Sequence, residues 1–194
     1  MSDITIGCTY FEETGAAHTE SALQIARARA EELGVRSVVV ATTSGATGLR
    51  AAEVFADREV VVVTHSAGFR EPNQQELTGE NRAAIEAAGA RILTCQHAFG
   101  GVGRALYPSP GNDDLGAVVA STLRVFGQGT KVACEIVLMA ADAGMIRVGE
   151  PVISVAGTGA GADTVLVIAP AHGQSFFDLR VMEILCKPRF APES

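Results

Sequence analysis

The chain has 194 residues, of which 47% are hydrophobic and 19% charged, and its net charge at neutral pH is -7. That length and apolar content suffice for one well-filled core and exclude global disorder. The acidic charge is spread along the chain and no Lys/Arg cluster interleaves with aromatics, which argues against nucleic acid or an anionic membrane as a partner.

A single domain over residues 1–194 is therefore expected, with self-association left open. The start, Met1-Ser2-Asp3-Ile4, lacks the basic and apolar regions of a secretory signal. No later segment supplies the roughly 18 consecutive apolar residues of a membrane span. A cytoplasmic protein is the expectation, and the widely spaced Cys8, Cys95, Cys134 and Cys186 read as reduced thiols, with no metal-ligand pattern.

In chain order, Thr19 to Leu33 predicts a helix with Leu23, Ala26, Ala30 and Leu33 on one face. Uninterrupted Val/Ile-rich runs then predict strands at Ser37 to Ala41, Glu59 to Thr64, Arg91 to Thr94, Val152 to Ala156 and Thr164 to Ala169. Runs of this kind suit strands covered on both faces, as in a parallel sheet. Tyr107-Pro108-Ser109-Pro110-Gly111 predicts a loop, and Leu115, Val118, Val119, Thr122, Leu123 and Phe126 form one apolar stripe of a helix that Asn112, Asp113 or Asp114 would cap. Thr130 to Ala143 predicts another helix, capped by Thr130, with Val132, Ile136, Met139 and Ala143 inward. Gly34, Gly89, Gly127 and Gly144 each stand where a helix must end in a left-handed residue. A last strand, Leu179 to Cys186, is expected at a sheet edge because of its polar residues.

Strands alternating with helices place the ligand site in the loops beyond the strands' carboxyl ends. Three such loops carry chemistry. Thr42-Thr43-Ser44-Gly45-Ala46-Thr47 joins a strand to a helix bearing Leu49, Ala52 and Phe55, so its amides and hydroxyls suit a phosphate. It lacks the lysine of a nucleoside-triphosphate loop, and an ordinary capped turn explains the same residues. Thr64-His65-Ser66-Ala67-Gly68-Phe69-Arg70 and Thr94-Cys95-Gln96-His97-Ala98-Phe99-Gly100-Gly101 each bring a histidine and a phenylalanine to the same edge. His65, His97, Phe69 and Phe99 suit contacts to a planar ring, or simply a surface imidazole and a core plug. Gly157-Thr158-Gly159-Ala160-Gly161-Ala162-Asp163-Thr164 precedes a strand instead of a helix, which excludes a dinucleotide fingerprint. Its glycines suit close approach of backbone to ligand, with Thr158, Asp163 and Thr164 as polar contacts, and a tight hairpin connection explains them equally well.

These motifs, with Tyr10-Phe11-Glu12 ahead of them, resemble in this order the C-terminal α/β domain of pyruvate kinase, and across nearly the whole chain the stand-alone prokaryotic proteins named for that domain. The resemblance implies a three-layer α/β/α fold around a five-stranded, mostly parallel sheet, and FMN as cofactor. It implies that Thr42, Thr43, Ser44, Gly45, Ala46 and Thr47 take a phosphate. The rest of the ligand would lie between His65, Gly68 and Phe69 and the loop of Gly157, Thr158, Gly159, Gly161, Asp163 and Thr164, and His97 joins the candidate site from its own place at a strand end. Where the family carries Pro-Gly and Asn-Thr, this chain has Thr14-Gly15 and His18-Thr19, so the family's contacts from that loop are not carried over and the role of the Phe11 to Thr19 loop stays open. The leading reading is an FMN-binding protein or small flavin-dependent oxidoreductase, with His65, His97 and Asp163 as ring partners. A non-catalytic sensor of a phosphorylated metabolite is the alternative. A phosphatase or phosphotransferase built on His65 and Asp163 ranks third, for want of an activated nucleophile.

Overall fold

The structure, a computed structural model, describes residues 3–106 and 114–189. Strands β1 (Thr9–Phe11), β2 (Ser37–Ala41), β3 (Glu59–Val63), β4 (Arg91–Leu93), β5 (Val152–Ala156), β6 (Thr164–Ala169) and β7 (Arg180–Pro188) form one sheet in the order β1-β7-β6-β5-β2-β3-β4. All neighbours pair in parallel except β6, which runs against β5 and β7. The sheet is thus mostly parallel, as expected, but has seven strands where the resemblance implies five.

Successive side chains of a strand point to opposite faces, and here both faces are covered. Val38, Val40, Val60, Val62, Ile153, Val155, Val165 and Val167 join one core with residues of α1 (Thr19–Leu33), α2 (Ala46–Val54) and α3 (Gly79–Ala87). Val39, Val61, Val63, Leu166 and Ile168 join the other with α6 (Gln128–Asp142). This is the three-layer α/β/α arrangement. The buried valines explain why these runs carry no polar alternation, since no face meets water. Ser154, the polar exception in β5, is fully buried and donates from Oγ to the Ala133 carbonyl of α6 at 2.9 Å.

Helix α6 is buried nearly all round, from Gly129 to Ala141. Its cap is Gly127, with φ 119° and ψ 152°, so this glycine starts a helix and does not close one in the left-handed conformation expected for it. Thr130 sits in the first turn and donates to the Phe126 carbonyl at 3.2 Å, and Ala143 lies exposed beyond the last turn. Gly34 does close α1 left-handed, with φ 64°.

Three further expectations change. Asp114 caps α5 (Leu115–Arg124), accepting from the Ala117 amide at 2.7 Å, whereas Asn112, Asp113 and the loop 107–111 lie outside the described residues. The apolar stripe of α5 turns inward only in part: Leu115, Val118 and Phe126 are exposed, Leu123 packs against the core, and Ala120 is the residue the helix buries. In α1, Leu33 is exposed although Leu23, Ala26 and Ala30 are buried. Periodicity reports a helix, but the neighbour that covers it is decided by topology. Finally, β7 is not the end of the sheet. The short β1 pairs with Cys186 to Pro188, leaving only the first part of β7 without a second neighbour among the described residues. A small helix, α4 (Val102–Leu106), precedes the undescribed stretch. No described helix is long and apolar enough to cross a membrane.

Cys134 and Cys186 are buried, and burial pushes each thiol up to about 12. Cys8 and Cys95 are partly accessible. In native protein at about pH 8, a disulfide reagent is expected to consume Cys8 and Cys95 and to reach Cys134 and Cys186 only after unfolding. Mass mapping of the labelled peptides checks this.

Candidate functional site

The carboxyl ends of β2, β3, β4 and β5 open onto one cleft of about 850 Å³. Its floor is the turn after β2. The Thr42 amide still bonds the Val63 carbonyl at 2.9 Å, and the Thr42 hydroxyl then accepts from the amides of Gly45 and Gly48 at 3.2 and 3.3 Å. Thr42 therefore shapes the turn from inside while also lining the cleft. Gly45 has φ 106°, and a Cβ there would collide with Asn81. The Ser44 carbonyl is held by the Thr78 amide at 3.2 Å and Asn81 Nδ2 at 2.9 Å. Fixed in this way, the amides of Ser44, Ala46 and Thr47 have no protein acceptor among the described residues. Thr43, Ser44, Ala46 and Thr47 all line the cleft.

The wall beside it comes from the loops after β3 and β4. Thr64 is buried, its hydroxyl 2.7 Å from that of Thr94. His65 Nδ1 lies 2.5 Å from Glu76 Oε2, and Arg70 Nε lies 2.9 Å from Glu76 Oε1. The rings of His65 and Phe69 are 4.3 Å apart and those of Phe69 and His97 4.9 Å. The two histidines expected at this edge are thus brought together. The Ser66 amide donates to His97 Nε2 at 3.3 Å. Gly68, with φ 75°, does not line the cleft; it turns the loop, its amide bonded to the Gln74 carbonyl at 2.8 Å. Phe99 lies behind this wall, edge-on to Phe176.

Opposite stands the hairpin loop between β5 and β6. Gly157, Gly159, Ala160 and Gly161 line the cleft, but Thr158, Asp163 and Thr164 do not. Asp163 is fully buried, and its carboxylate accepts from the Gly15 amide at 2.9 Å, the Thr158 amide at 3.1 Å and the Thr164 hydroxyl at 2.7 Å. With its oxygens engaged this way, Asp163 clamps the loop instead of meeting a ligand ring. A Cβ on Gly161 would overlap Ala16, and the Thr19 hydroxyl accepts from the Ala162 amide at 3.0 Å. Gly159, in contrast, has open space beside it and needs glycine for its φ of 76°. The segment around Thr14-Gly15 and His18-Thr19, whose role the sequence leaves open, enters the cleft through Ala16 and Thr19.

The last wall is α6. Lys131 and Glu135 form a buried ion pair there, and Glu135 Oε1 also accepts from the Phe99 amide at 3.1 Å. Arg124 donates from Nε to Gln128 Oε1 at 2.8 Å, and Val132, Ile136 and Met139 continue the surface as an apolar strip. Sequence reasoning missed Glu76, Lys131, Glu135, Arg124 and Gln128. The signal for the α6 pair was present: two opposite charges four residues apart in an otherwise apolar helix.

The family model of the pyruvate kinase alpha/beta domain matches residues 20–168, a span that holds β2 to β6 and all the cleft loops after them. The chain belongs to this family. Within this pyruvate kinase α/β domain, β1 and β7 lie outside the matched span and complete one side of the sheet. Among solved structures, the crystal structure of O-ureido-L-serine synthase is similar at a TM-score of 0.31 and 24% identity, over 45% of this chain. The match covers 27% of that chain's length and carries no functional argument.

Asp163→Ala would strand the Gly15 and Thr158 amides, each at a cost of about 1–3 kcal/mol. A matching fall in unfolding free energy is expected in denaturant titrations.

Proposed function

We propose that this pyruvate kinase α/β domain binds FMN in the cleft and acts as a small flavin-dependent oxidoreductase. The observation that carries the reading is that the uncommitted amides of Ser44, Ala46 and Thr47 open onto the same cleft as the His65, Phe69 and His97 rings. The α2 amino terminus adds a favourable field for a phosphate, in a protein whose overall charge is -7.

The residues present fit the cofactor. A volume of about 850 Å³ lies in the range of small-molecule sites. The aromatic wall suits one face of a planar ring, and the opposite wall, made of Gly157, Gly159 and Gly161, has no side chains to obstruct the other. Arg124 supplies positive charge and the Lys131–Glu135 pair supplies hydrogen-bonding groups toward a polar ring edge, while Val132, Ile136 and Met139 keep water from the apolar part. When bound, the flavin supplies the redox chemistry. The chain's share is to seat the phosphate, orient the ring and hold charge beside it.

Titration of purified protein with FMN and with riboflavin, followed by flavin fluorescence, tests this. FMN is expected to bind more tightly because riboflavin lacks the phosphate. At about 1.5–3 kcal/mol for each hydroxyl bonded to a charged group, Ser44→Ala combined with Thr47→Ala is expected to weaken FMN binding by about 100-fold or more. Equal affinity for the two flavins sinks the phosphate seat. Protein that ignores flavins but gains thermal stability with sugar phosphates is instead a metabolite sensor.

A further inference from the structure

The His65 imidazole is prepared for chemistry in a way that flavin binding does not require. Its Nδ1 is 2.5 Å from Glu76 Oε2, and the second Glu76 oxygen is held by Arg70 Nε at 2.9 Å. A carboxylate at Nδ1 fixes the proton on that nitrogen and leaves Nε2 as the basic atom. The backbone carrying it is also fastened, because Gln75 Nε2 donates to the His65 carbonyl at 2.9 Å and the Thr64 and Thr94 hydroxyls meet at 2.7 Å. His97 is the opposite case: its Nε2 already accepts from the Ser66 amide.

Register places this nucleophile beside the phosphate seat. Ala41 is opposite Val63 in the β2–β3 ladder, so Thr42–Thr47 and His65 leave neighbouring strands about 4.8 Å apart. Ala46, Thr47, His65 and Glu76 line one cleft.

We propose that His65 is a phosphoryl acceptor: Nε2 takes the phosphoryl group of an acyl phosphate seated on the Ser44–Thr47 turn. The Nε2 lone pair forms the N–P bond as the P–O bond to the acyl group breaks, and that electron pair leaves with the carboxylate. No proton has to move. The positive charge on the phosphorylated imidazole is offset by Glu76 through the retained Nδ1–H, and the turn amides hold the phosphoryl oxygens. Acyl phosphates are the donor class because a carboxylate departs without a general acid. Glu76 is the positioning residue, and Arg70 holds its second oxygen in place. The inference shares the phosphate seat with the FMN reading but does not depend on a flavin.

The test is incubation of the full chain with acetyl phosphate, followed by intact mass and peptide mapping at neutral pH. Expected is one acid-labile, alkali-stable phosphoryl group per chain on His65, absent in His65→Asn. Labelling should slow about tenfold or more in Glu76→Gln, with circular dichroism confirming that both variants fold. The imidazole 15N shifts should report the Nδ1–H tautomer in the wild type and its loss in Glu76→Gln, where Arg70 claims the amide oxygen. No label on the folded wild type, or a label elsewhere than His65, overturns the proposal. An unchanged rate in Glu76→Gln overturns the role of the dyad and leaves the pair as a latch on its loop. FMN binding by the wild type is measured in parallel: labelling without flavin binding removes only the FMN reading, and flavin binding without labelling removes only this one.

Discussion

The parallel pairing of β2 with β3 on one side and β5 on the other is the constraint on which the cleft depends. Parallel neighbours send their following loops out at the same edge, so residues 42–47, 64–70 and 157–161 meet although the last group lies more than a hundred positions after the first. The ladder continues one residue beyond β2, through the Thr42 amide to Val63. That extra bond sets where the chain turns and hence where α2 begins. A helix starting there leaves its first amides open to the cleft by necessity, since helices cannot satisfy them internally.

The reversal at β6 has an equal consequence. Because β5 and β6 pair antiparallel, the glycine loop between them is a hairpin end and not the start of a helix. A hairpin tip of this composition would be loose on its own. Asp163 prevents that, spending its buried carboxylate on two amides and a hydroxyl and tying the 15–19 segment to the loop. An ionised group removed from water is costly unless its oxygens are occupied, and here they are. The glycine wall of the cleft is thereby held in place with only the Ala160 methyl among its side chains lining the cleft.

The buried Lys131–Glu135 pair on α6 follows a different logic. Such pairs contribute little to stability against an apolar replacement, and the neighbouring positions of this helix are apolar. Its placement at the cleft wall, with Glu135 also holding the Phe99 amide, gives the pair two tasks at once: charge at the site and a fixed path for the chain after β4. The same economy appears at Glu76, which holds both His65 and Arg70 of the loop after β3.

Much of this was legible in the sequence. Valine runs at 38–40 and 60–63 declare strands hidden on both faces, and the hydroxyl- and glycine-rich turn after the first of them declares a helix start, because both are local consequences of burial and backbone geometry. The strand at Val165 to Ile168 likewise excluded a dinucleotide loop before any coordinates. Local pattern could not say which carboxylate meets which partner. Asp163 and Glu76 are both acidic loop residues in the sequence, yet one is a sealed clamp and the other grips His65 from eleven positions away. Nor could it say that Leu115 and Val118 of the α5 stripe face outward or that β1 closes beside β7, since these depend on where distant segments land. Hydrophobic period and turn chemistry act over a few residues and are written in the chain. Side-chain partnership and the facing of a helix are settled only when the sheet order brings remote residues within a few ångströms.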